Sequence, residues 1–483
     1  HQGDARRLKT VSLKNFRCFE SLTLDLHPQL TVIVGNNGAG KTALLDGIAT
    51  ALTPVLTHLS SANQRLSGRG FKDADFRIES YSGRAGRTQW AKADFAQVMV
   101  EAYDELRWDY WKPSGNSKGV EPPEKWGETQ LKDRLGAIYA SYKTAHPLLT
   151  PAFAYYGASR GSIRVPERLR EAKLNYEHPT AALYDCLDPA SDFREMLEWF
   201  DLEESSELRE NKGEVNENFQ PFSSLEAVRA AVVSLLVQYS NPHFNSKHKF
   251  MLTRQGDGAP MLVEQLSQGY QSMLALAMDF ARRLAIANPH LEYDDEENAI
   301  EAIHQSNLQL VLLGVRSTEP FRESLRMSAP AIMLVDEIDL HLHPSWQQRV
   351  LQDLMRTFPL TQFIVTTHSP QVLTTVARDN IRELVQGENG RIEVRTPPFS
   401  PLAHESGDAL AKIMGTHREP PLALQDDIRC YEQLVRDGQE HTEKAQTLRA
   451  DLEQAGYQFH ESDLATWRFL ASRKSGGNTG RTD

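Results

Sequence analysis

The stretch at residues 31–52 constrains the fold of this chain more than any other part of the sequence. An apolar, β-branched run leads into G-N-N-G-A-G-K-T at residues 35–42, and a helix with an apolar face follows. Glycines at this spacing let backbone N–H groups surround an anion, which the N-terminus of the next helix also favours. Lys41 would reach the β- and γ-phosphates of a nucleotide, and Thr42 would offer its hydroxyl to Mg²⁺. We therefore expect a strand, a phosphate-binding loop and a helix, with the following nucleotide-binding residues: Gly35, Asn36, Asn37, Gly38, Ala39, Gly40, Lys41, Thr42 and Ala43.

A second apolar run ends in two carboxylates. The sequence A-I-M-L-V-D-E-I-D-L-H-L-H-P at residues 331–344 predicts a buried strand that brings Asp336 and Glu337 to a sheet edge, where α/β proteins bind ligands. Asp336 is expected to hold Mg²⁺ through its water shell, and Glu337 to orient and deprotonate the attacking water. His341 and His343 follow, but no third soft ligand is in register with them, so a zinc site is not expected.

Two shorter motifs extend this pattern. Residues 363–366 predict a strand that ends in T-T-H-S-P, so that His368 reaches the same sheet edge and senses the γ-phosphate. The sequence L-S-Q-G at residues 266–269 opens a helix with an apolar stripe and predicts an anion-facing helix N-terminus without its own lysine. Ser267 and Gly269 are a weak signal alone, because Ser and Gly begin many helices.

Two segments that contain arginine leave alternatives open. Alternating apolar and polar residues predict a β-hairpin at residues 8–30, with Arg17 at a tip that lies near bound nucleotide or forms a solvated turn. A basic cluster at residues 160–173 could contact nucleic-acid phosphates. Acidic residues interrupt it and no aromatic residue is interleaved, which favours a solvated helical face. Its members are Arg160, Arg164, Arg168, Arg170 and Lys173.

The rest of the chain reads as further hairpins, helices and connections. Hairpins are predicted at residues 98–110, 249–263 and 381–394, and a buried strand begins at residue 152. Other segments are interpreted as connecting structure, a mobile acidic loop and an insertion, at residues 59–83, 203–218 and 288–328 respectively.

The C-terminal part is predicted to be helical from residue 404. One apolar stripe there runs through Ile428, Tyr431, Leu434 and Val435. Such a stripe must be buried, either against other helices of this chain or against a partner. We favour a partner, with packing on the chain's own core as the alternative.

Composition excludes several classes of protein. A chain of 483 residues can form two to four domains, and its net charge of -12 argues against a protein that coats nucleic acid over its whole surface. Three widely spaced cysteines support neither a disulfide framework nor a zinc ribbon, which fits a reducing cytoplasm. Without a run of about 18 apolar residues, no membrane association is expected.

The order of these motifs resembles that of the ATP-binding-cassette ATPases, in the SMC-like, RecF-like and OLD-like branch. The sequence D-E-I-D-L-H-L-H-P carries the likeness to this branch, and no long heptad array or zinc hook is present. With Y-Y-G-A-S-R at residues 155–160 and a short helical tail, the chain is similar to the ATPase subunits of Septu and retron-associated anti-phage systems. A C-terminal Toprim nuclease domain, as in OLD-like nucleases, is not expected.

The resemblance implies an α/β, ABC-type P-loop ATPase with an antiparallel β lobe, a helical insertion and a C-terminal helical region. Its expected domains are residues 1–160, 161–236, 237–403 and 404–483. Ser267 and Gly269 would act in trans, so that two subunits enclose two ATP molecules in a head-to-tail homodimer or a higher oligomer.

The resemblance also implies a function. The expected protein binds and hydrolyses ATP with Mg²⁺ and regulates a separate HNH-type nuclease, which docks on the C-terminal helices. The complex as a whole could contact nucleic acid. Two alternatives remain: a RecF-like or SMC-like repair ATPase that binds DNA directly, and an ATP-binding scaffold with little hydrolysis.

Overall fold

A computed structural model gives the structure of the protein. It describes residues 7–35, 38–115, 119–127, 129–160, 163–166, 175–190, 192–293, 296–315, 318–397, 422–455, 457, 459 and 461–476. Asn36 and Asn37 of the predicted phosphate-binding loop lie outside the described residues, as do Arg168, Arg170 and Lys173 of the basic cluster.

Groups of consecutive strands and groups of helices follow one another along the chain. The strands are β1 (Leu8–Phe16), β2 (Phe19–Asp25), β3 (Leu30–Gly35), β4 (Ile78–Ser82), β5 (Thr88–Lys92), β6 (Phe95–Ala102), β7 (Arg107–Pro113), β8 (Ala152–Tyr156), β9 (Tyr239–Phe244), β10 (Phe250–Arg254), β11 (Pro260–Leu262), β12 (Ala331–Val335), β13 (Thr361–Thr366), β14 (Ile381–Gln386) and β15 (Ile392–Arg395). The helices are α1 (Gly38–Leu59), α2 (Gln130–Ser141), α3 (Arg194–Glu210), α4 (Ser223–Leu235), α5 (Gln268–Ala287), α6 (His290–Tyr293), α7 (Glu296–Leu312), α8 (Pro344–Gln347), α9 (Val350–Thr357), α10 (Pro370–Leu373), α11 (Leu422–Arg436), α12 (Glu443–Gln454) and α13 (Glu461–Gly476).

A six-stranded sheet forms the centre of the protein, in the order β15-β14-β3-β13-β12-β8. Its strands run parallel except at the β14–β15 pair, and every residue of β3, β8, β12 and β13 is buried. Continuous apolar strands of this kind are typical of a parallel sheet covered on both faces. The predicted α/β fold class is therefore confirmed.

The predicted hairpins are present. A four-stranded antiparallel sheet has the order β2-β1-β6-β7, and a three-stranded sheet has the order β11-β10-β9. Helix α1 contributes to a core shared with the four-stranded sheet and with one face of the central sheet, whereas α4, α5 and α9 pack in a second core on the other face. Residues 40–59 of α1 are apolar and long enough to cross a membrane, but 78% of the most apolar window is buried, so α1 is a core helix.

Two expectations about connections are wrong. Residues 59–83, interpreted as connecting structure, include β4, whose pairing with β5 forms a separate two-stranded sheet. The predicted mobile loop at residues 203–218 is helical as far as Glu210, because Glu204 and Glu207 are buried and hydrogen-bonded. Residues 161–236, expected as a helical insertion, include α3 and α4, which bury Trp199, Phe200 and Val232 in the main core.

The apolar stripe of the C-terminal helices is buried, which corrects the prediction that it docks a partner. Ile428, Tyr431 and Val435 are 5%, 1% and 1% exposed, in a cluster formed by α11, α12 and α13. The ring of Tyr431 lies 4.7 Å from that of Phe459, centre to centre. The stripe does not pack on the rest of the chain either, which was the alternative, because this cluster consists of C-terminal residues alone. A nuclease partner therefore does not dock through this stripe.

Candidate nucleotide site

Strand order brings the predicted site residues to one edge of the central sheet. β13 lies between β3 and β12, with Thr366 paired to Ile33 and Val365 paired to Val335. Because these strands are parallel, their carboxyl ends meet at the same edge. The phosphate-binding loop after β3, the carboxylates after β12 and the histidine after β13 therefore converge, although up to 327 residues separate them in sequence.

The two predicted metal ligands are in direct contact. Thr42 Oγ1, in the first turns of α1, donates a hydrogen bond of 2.7 Å to Asp336 Oδ2. The other carboxylate oxygen of Asp336 accepts a hydrogen bond of 2.5 Å from Thr366 Oγ1, and Asp336 is 3% exposed. A hydroxyl and a carboxylate are ligands that suit Mg²⁺, so the donor set at this position fits the ion.

Lys41 lies between the loop and the histidine. Its Nζ donates a 2.9 Å hydrogen bond to the backbone oxygen of Gly35 and lies 2.9 Å from His368 Nε2. Burial lowers the pKa of Lys41 to about 8, although the carboxylates of Asp336 and Glu337 oppose that shift. The nearby carboxylates do not fully offset the effect of burial on this cation. A phosphate would favour the charged form of Lys41, so the site attracts an anion.

Glu337 follows β12 in a left-handed backbone conformation, with φ of 50°. Such a conformation is strained for a residue other than glycine and persists where its surroundings fix it. The backbone N–H of Glu337 donates to Thr366 Oγ1 at 2.8 Å, and its carbonyl oxygen accepts from Arg160 Nη2 at 2.6 Å. The peptide groups on both sides of the predicted catalytic carboxylate are therefore held in place.

Arg160 is part of the site, which corrects its interpretation as a member of a solvated helical face. It is 4% exposed, and its Nη1 donates to the backbone oxygens of Gly157 at 2.9 Å and Asp336 at 2.5 Å. Burial lowers its pKa to about 10, with Asp336 opposing. Its position just after β8, which pairs with β12, places it beside the carboxylates. The signal in the sequence is an arginine a few residues after the end of a buried strand.

Glycine is required at Gly35 by a close approach of two strands. A Cβ atom on Gly35 would lie 2.9 Å from the backbone oxygen of Leu384 in β14. This contact lets β3 and β14 pair up to the start of the loop. Gly40 and Ala43, in the first turns of α1, are buried.

The L-S-Q-G motif begins α5, as predicted. Ser267 is exposed, and its Oγ accepts a hydrogen bond of 3.3 Å from the backbone N–H of Tyr270. Gly269 is buried, and a Cβ atom there would lie 2.4 Å from the backbone oxygen of His341. The motif therefore packs against the loop that follows the two carboxylates while Ser267 remains accessible.

Arg17 lies between two carboxylates, which corrects the alternative of a solvated turn. Its guanidinium lies 2.6 Å from Asp46 Oδ2 in α1 and 3.0 Å from Asp75 Oδ1, and its side chain is 27% exposed. Burial opposes its charge, but these two carboxylates raise its pKa. Arg17 is therefore held by two acidic residues and is not a solvated turn residue, and its contact with bound nucleotide stays a prediction.

Comparisons with known proteins show what this chain is similar to. A family model described as an AAA domain matches residues 10–227. The chain is 26% identical to "Retron Vc95 probable ATPase" of Vibrio cholerae serotype O1 biovar El Tor, over 92% of this chain and 86% of the relative. It is 29% identical to "Septu protein PtuA" of Bacillus mycoides over 26% of this chain and 13% of that protein. Among solved structures, the SMC head domain from Thermotoga maritima covers 81% of this chain and 98% of its own, with 15% identity and a TM-score of 0.37.

In fold class and motif order, this chain resembles the SMC-like P-loop ATPases. The strand order, the contact of Thr42 with Asp336 and the matched AAA domain support that likeness.

The two histidines after the carboxylates have local roles in this ATPase fold. His343 begins α8, and its Nδ1 accepts a 3.2 Å hydrogen bond from the backbone N–H of Ser345. His341 has φ of 60°, and its backbone oxygen faces Gly269. Within the described ranges, no group of three His, Cys, Asp or Glu side chains is placed to hold a metal ion.

Proposed function

We propose that this chain is the ATP-binding and ATP-hydrolysing regulatory subunit of a cytoplasmic anti-phage defence complex, and that it controls a separate HNH-type nuclease. The convergence of Lys41, Thr42, Asp336 and His368 at one sheet edge supports the ATPase activity. Similarity to a retron ATPase over 92% of this chain supports the role in defence. The nuclease partner follows from the likeness to Septu ATPase subunits.

Each residue of the site has a role in the proposed hydrolysis. Lys41 binds the β- and γ-phosphates, while Thr42 and Asp336 hold Mg²⁺. When bound, Mg²⁺ neutralises charge that develops on the transferred phosphoryl group. Glu337 orients the attacking water and accepts its proton, and His368, which contacts Lys41, lies where it can report the γ-phosphate to the rest of the sheet edge.

Arg160 is a positioning residue in this scheme. It donates hydrogen bonds to the carbonyl oxygens of Asp336 and Glu337, so it fixes the metal ligand and the general base relative to each other. Its guanidinium is directed at backbone oxygens rather than at the nucleotide.

The proposed site is completed by a second subunit. Ser267 is exposed at the N-terminus of a 20-residue helix that has no lysine beside it, which suits an anion brought by another copy of the chain. Ser267→Arg should block ATP-dependent pairing and leave the ATP affinity of the monomer unchanged. Mixed with Lys41→Ala subunits, it should restore one complete site per dimer. Full two-site activity in that mixture would contradict a head-to-tail arrangement.

Co-expression with an HNH-type nuclease encoded beside this gene tests the regulatory role. We expect the two proteins to co-purify and the nuclease to change activity when ATP replaces ADP. Glu337→Gln should hold the complex in its ATP-bound state, whereas Lys41→Ala should hold it in the nucleotide-free state. If nuclease activity and phage protection are the same with both variants and the wild type, the chain is not a regulatory ATPase.

A further inference from the structure

The β4–β5 hairpin projects from the protein without a core of its own. All residues of both strands are exposed, and the two strands pair only with each other. Isolated two-stranded hairpins are at best marginally stable in water. Exposed residues in such a hairpin therefore contribute little to folding. Large apolar side chains on it do not pack in a core, so a role in binding explains them better.

Large apolar side chains are present on this hairpin despite its exposure. Ile78, Tyr81 and Trp90 are 59%, 50% and 70% exposed. Trp90 pairs with Ser80, and Ile78 pairs with Lys92, so these four residues share one face of the ribbon. Tyr81 lies on the opposite face, which gives each face one aromatic ring.

The hairpin is basic within an acidic protein. Residues 77–92 contain four basic residues and one acidic residue, while the chain as a whole has a net charge of -12. Arg77 pairs with Glu79 and Lys92 pairs with Asp73. Arg84 and Arg87, in and beside the tip, are exposed and have no ion pair among the described residues.

The base of the hairpin is tied to the nucleotide site. The backbone N–H of Ala93 donates to Arg77 O at 2.7 Å, and the N–H of Arg77 donates to Asn15 O at 3.0 Å. Asp75, just before β4, pairs with Arg17, which also contacts Asp46 in α1, the helix that carries Thr42. A chain of hydrogen bonds and ion pairs therefore connects the exposed hairpin to the phosphate-binding helix.

We infer that the β4–β5 hairpin binds single-stranded nucleic acid, with bases stacked on Trp90 and phosphates contacted by Arg84 and Arg87. Aromatic stacking combined with cations that follow the backbone is the chemistry by which proteins bind single strands. A symmetric contact between the hairpins of two copies does not suit this surface, because it would bring the same uncompensated arginines together. This inference goes beyond the proposed ATPase and does not depend on it, since the hairpin contains no residue of the nucleotide site.

Fluorescence anisotropy with labelled single-stranded DNA, single-stranded RNA and duplex DNA of equal length tests this inference. We expect the full-length chain to bind at least one single strand more tightly than the duplex. Trp90→Ala should weaken that binding about tenfold, since stacking contributes about 1–3 kcal/mol per base. The DNA and RNA arms identify which single strand is the ligand, and preference for either supports the hairpin.

A charge-matched pair of double variants separates a specific phosphate contact from general electrostatics. Arg84→Ala with Arg87→Ala should reduce the slope of log Kd against log salt concentration by about 1.4, because each phosphate contact on a single strand contributes about 0.7. Lys247→Ala with Lys249→Ala removes two exposed lysines from the β9–β10 turn and should leave the slope unchanged. Circular dichroism should show the same fold for all variants.

Three outcomes would overturn the inference. One is that no single strand binds at about 50 mM salt, a low concentration at which contacts between arginine and phosphate are strong. Another is equal weakening by the arginine and lysine double variants. The third is unchanged affinity with Trp90→Ala together with lost co-purification of a protein partner, which would assign the hairpin to protein docking. Loss of ATP hydrolysis alone, with binding retained, concerns the proposed function and leaves the hairpin assignment in place.

Discussion

The nucleotide edge and the C-terminal helices bury their key residues in opposite ways. At the edge, polar side chains from four distant segments meet, so that Thr42, Arg160, Asp336 and His368 depend on the whole sheet for their positions. In the C-terminal cluster, apolar side chains from α11–α13 bury one another. Polar residues at the ends of parallel strands therefore predict a site. An apolar stripe on a helix predicts only that the stripe is buried, and not which surface covers it.

The largest expected effect is in the C-terminal cluster. Tyr431→Ala removes a side chain that is 1% exposed, and an aromatic-to-alanine change in a core typically costs about 3–5 kcal/mol. We expect α11–α13 to lose hydrogen-exchange protection while ATP affinity stays unchanged. Arg429→Ala, at an exposed position of α11, is the control and should leave protection intact. A fall in ATP affinity with Tyr431→Ala would break the separation of the two regions.

Removing the loop lysine tests the other side of the comparison. Lys41→Ala should weaken ATP binding by about 1.5–3 kcal/mol, the typical worth of a hydrogen bond to a charged group. Calorimetric titration measures this, and hydrogen exchange should show α11–α13 unchanged. Tight ATP binding by this variant would contradict the position of Lys41 beside the phosphates.

Arg160→Ala tests the position of Arg160, which the sequence pattern had assigned to a solvated helical face. It leaves the buried carbonyl oxygens of Asp336 and Glu337 without their donor, at a cost of about 1–3 kcal/mol in the free energy of unfolding. Turnover should fall more than ATP affinity does, because Arg160 positions the carboxylates. Arg164→Ala, an exposed neighbour from the same basic cluster, is the matched control. Equal effects of the two variants would return Arg160 to the solvated face.

The smallest expected effect is a pH dependence of ATP affinity. The pKa of Lys41 is lowered to about 8 in the free protein, and bound phosphate favours its charged form. Affinity should therefore be constant below pH 8 and decrease above it, by at most about tenfold per pH unit, which corresponds to about 1.4 kcal/mol. Lys41→Arg stays charged across this range and should give a flat profile. A wild-type profile that is flat up to about pH 10 would contradict the lowered pKa of Lys41.

The sequence predicted that Thr42, Asp336 and His368 reach one sheet edge because its motifs are local and its strands are continuous apolar runs. Residues 31–42 and 331–337 each specify a strand, its end and the polar group that follows. The parallel sheet then brings those ends together without further information. Arg160 was misplaced because its partners are backbone oxygens 176 and 177 residues away, which no local pattern encodes.

The β4–β5 hairpin and the C-terminal cluster were harder to predict for different physical reasons. The strands of the hairpin are exposed on both faces, so they lack the alternation of apolar and polar residues that marks a strand. The stripe through Tyr431 was recognised, but periodicity gives the face of a helix and not what covers it. Arg17 likewise showed no sign of Asp75, which lies 58 residues further along the chain.

The most direct test of the account is single-turnover and steady-state hydrolysis of ATP by the wild type and by Glu337→Gln. The variant keeps the size of the side chain and removes only the carboxylate that accepts the proton from water. We predict that Glu337→Gln binds ATP with wild-type affinity and hydrolyses it at least about a hundredfold more slowly, as expected for loss of a general base. Turnover at the wild-type rate by Glu337→Gln would contradict the assignment of this sheet edge as an ATPase site.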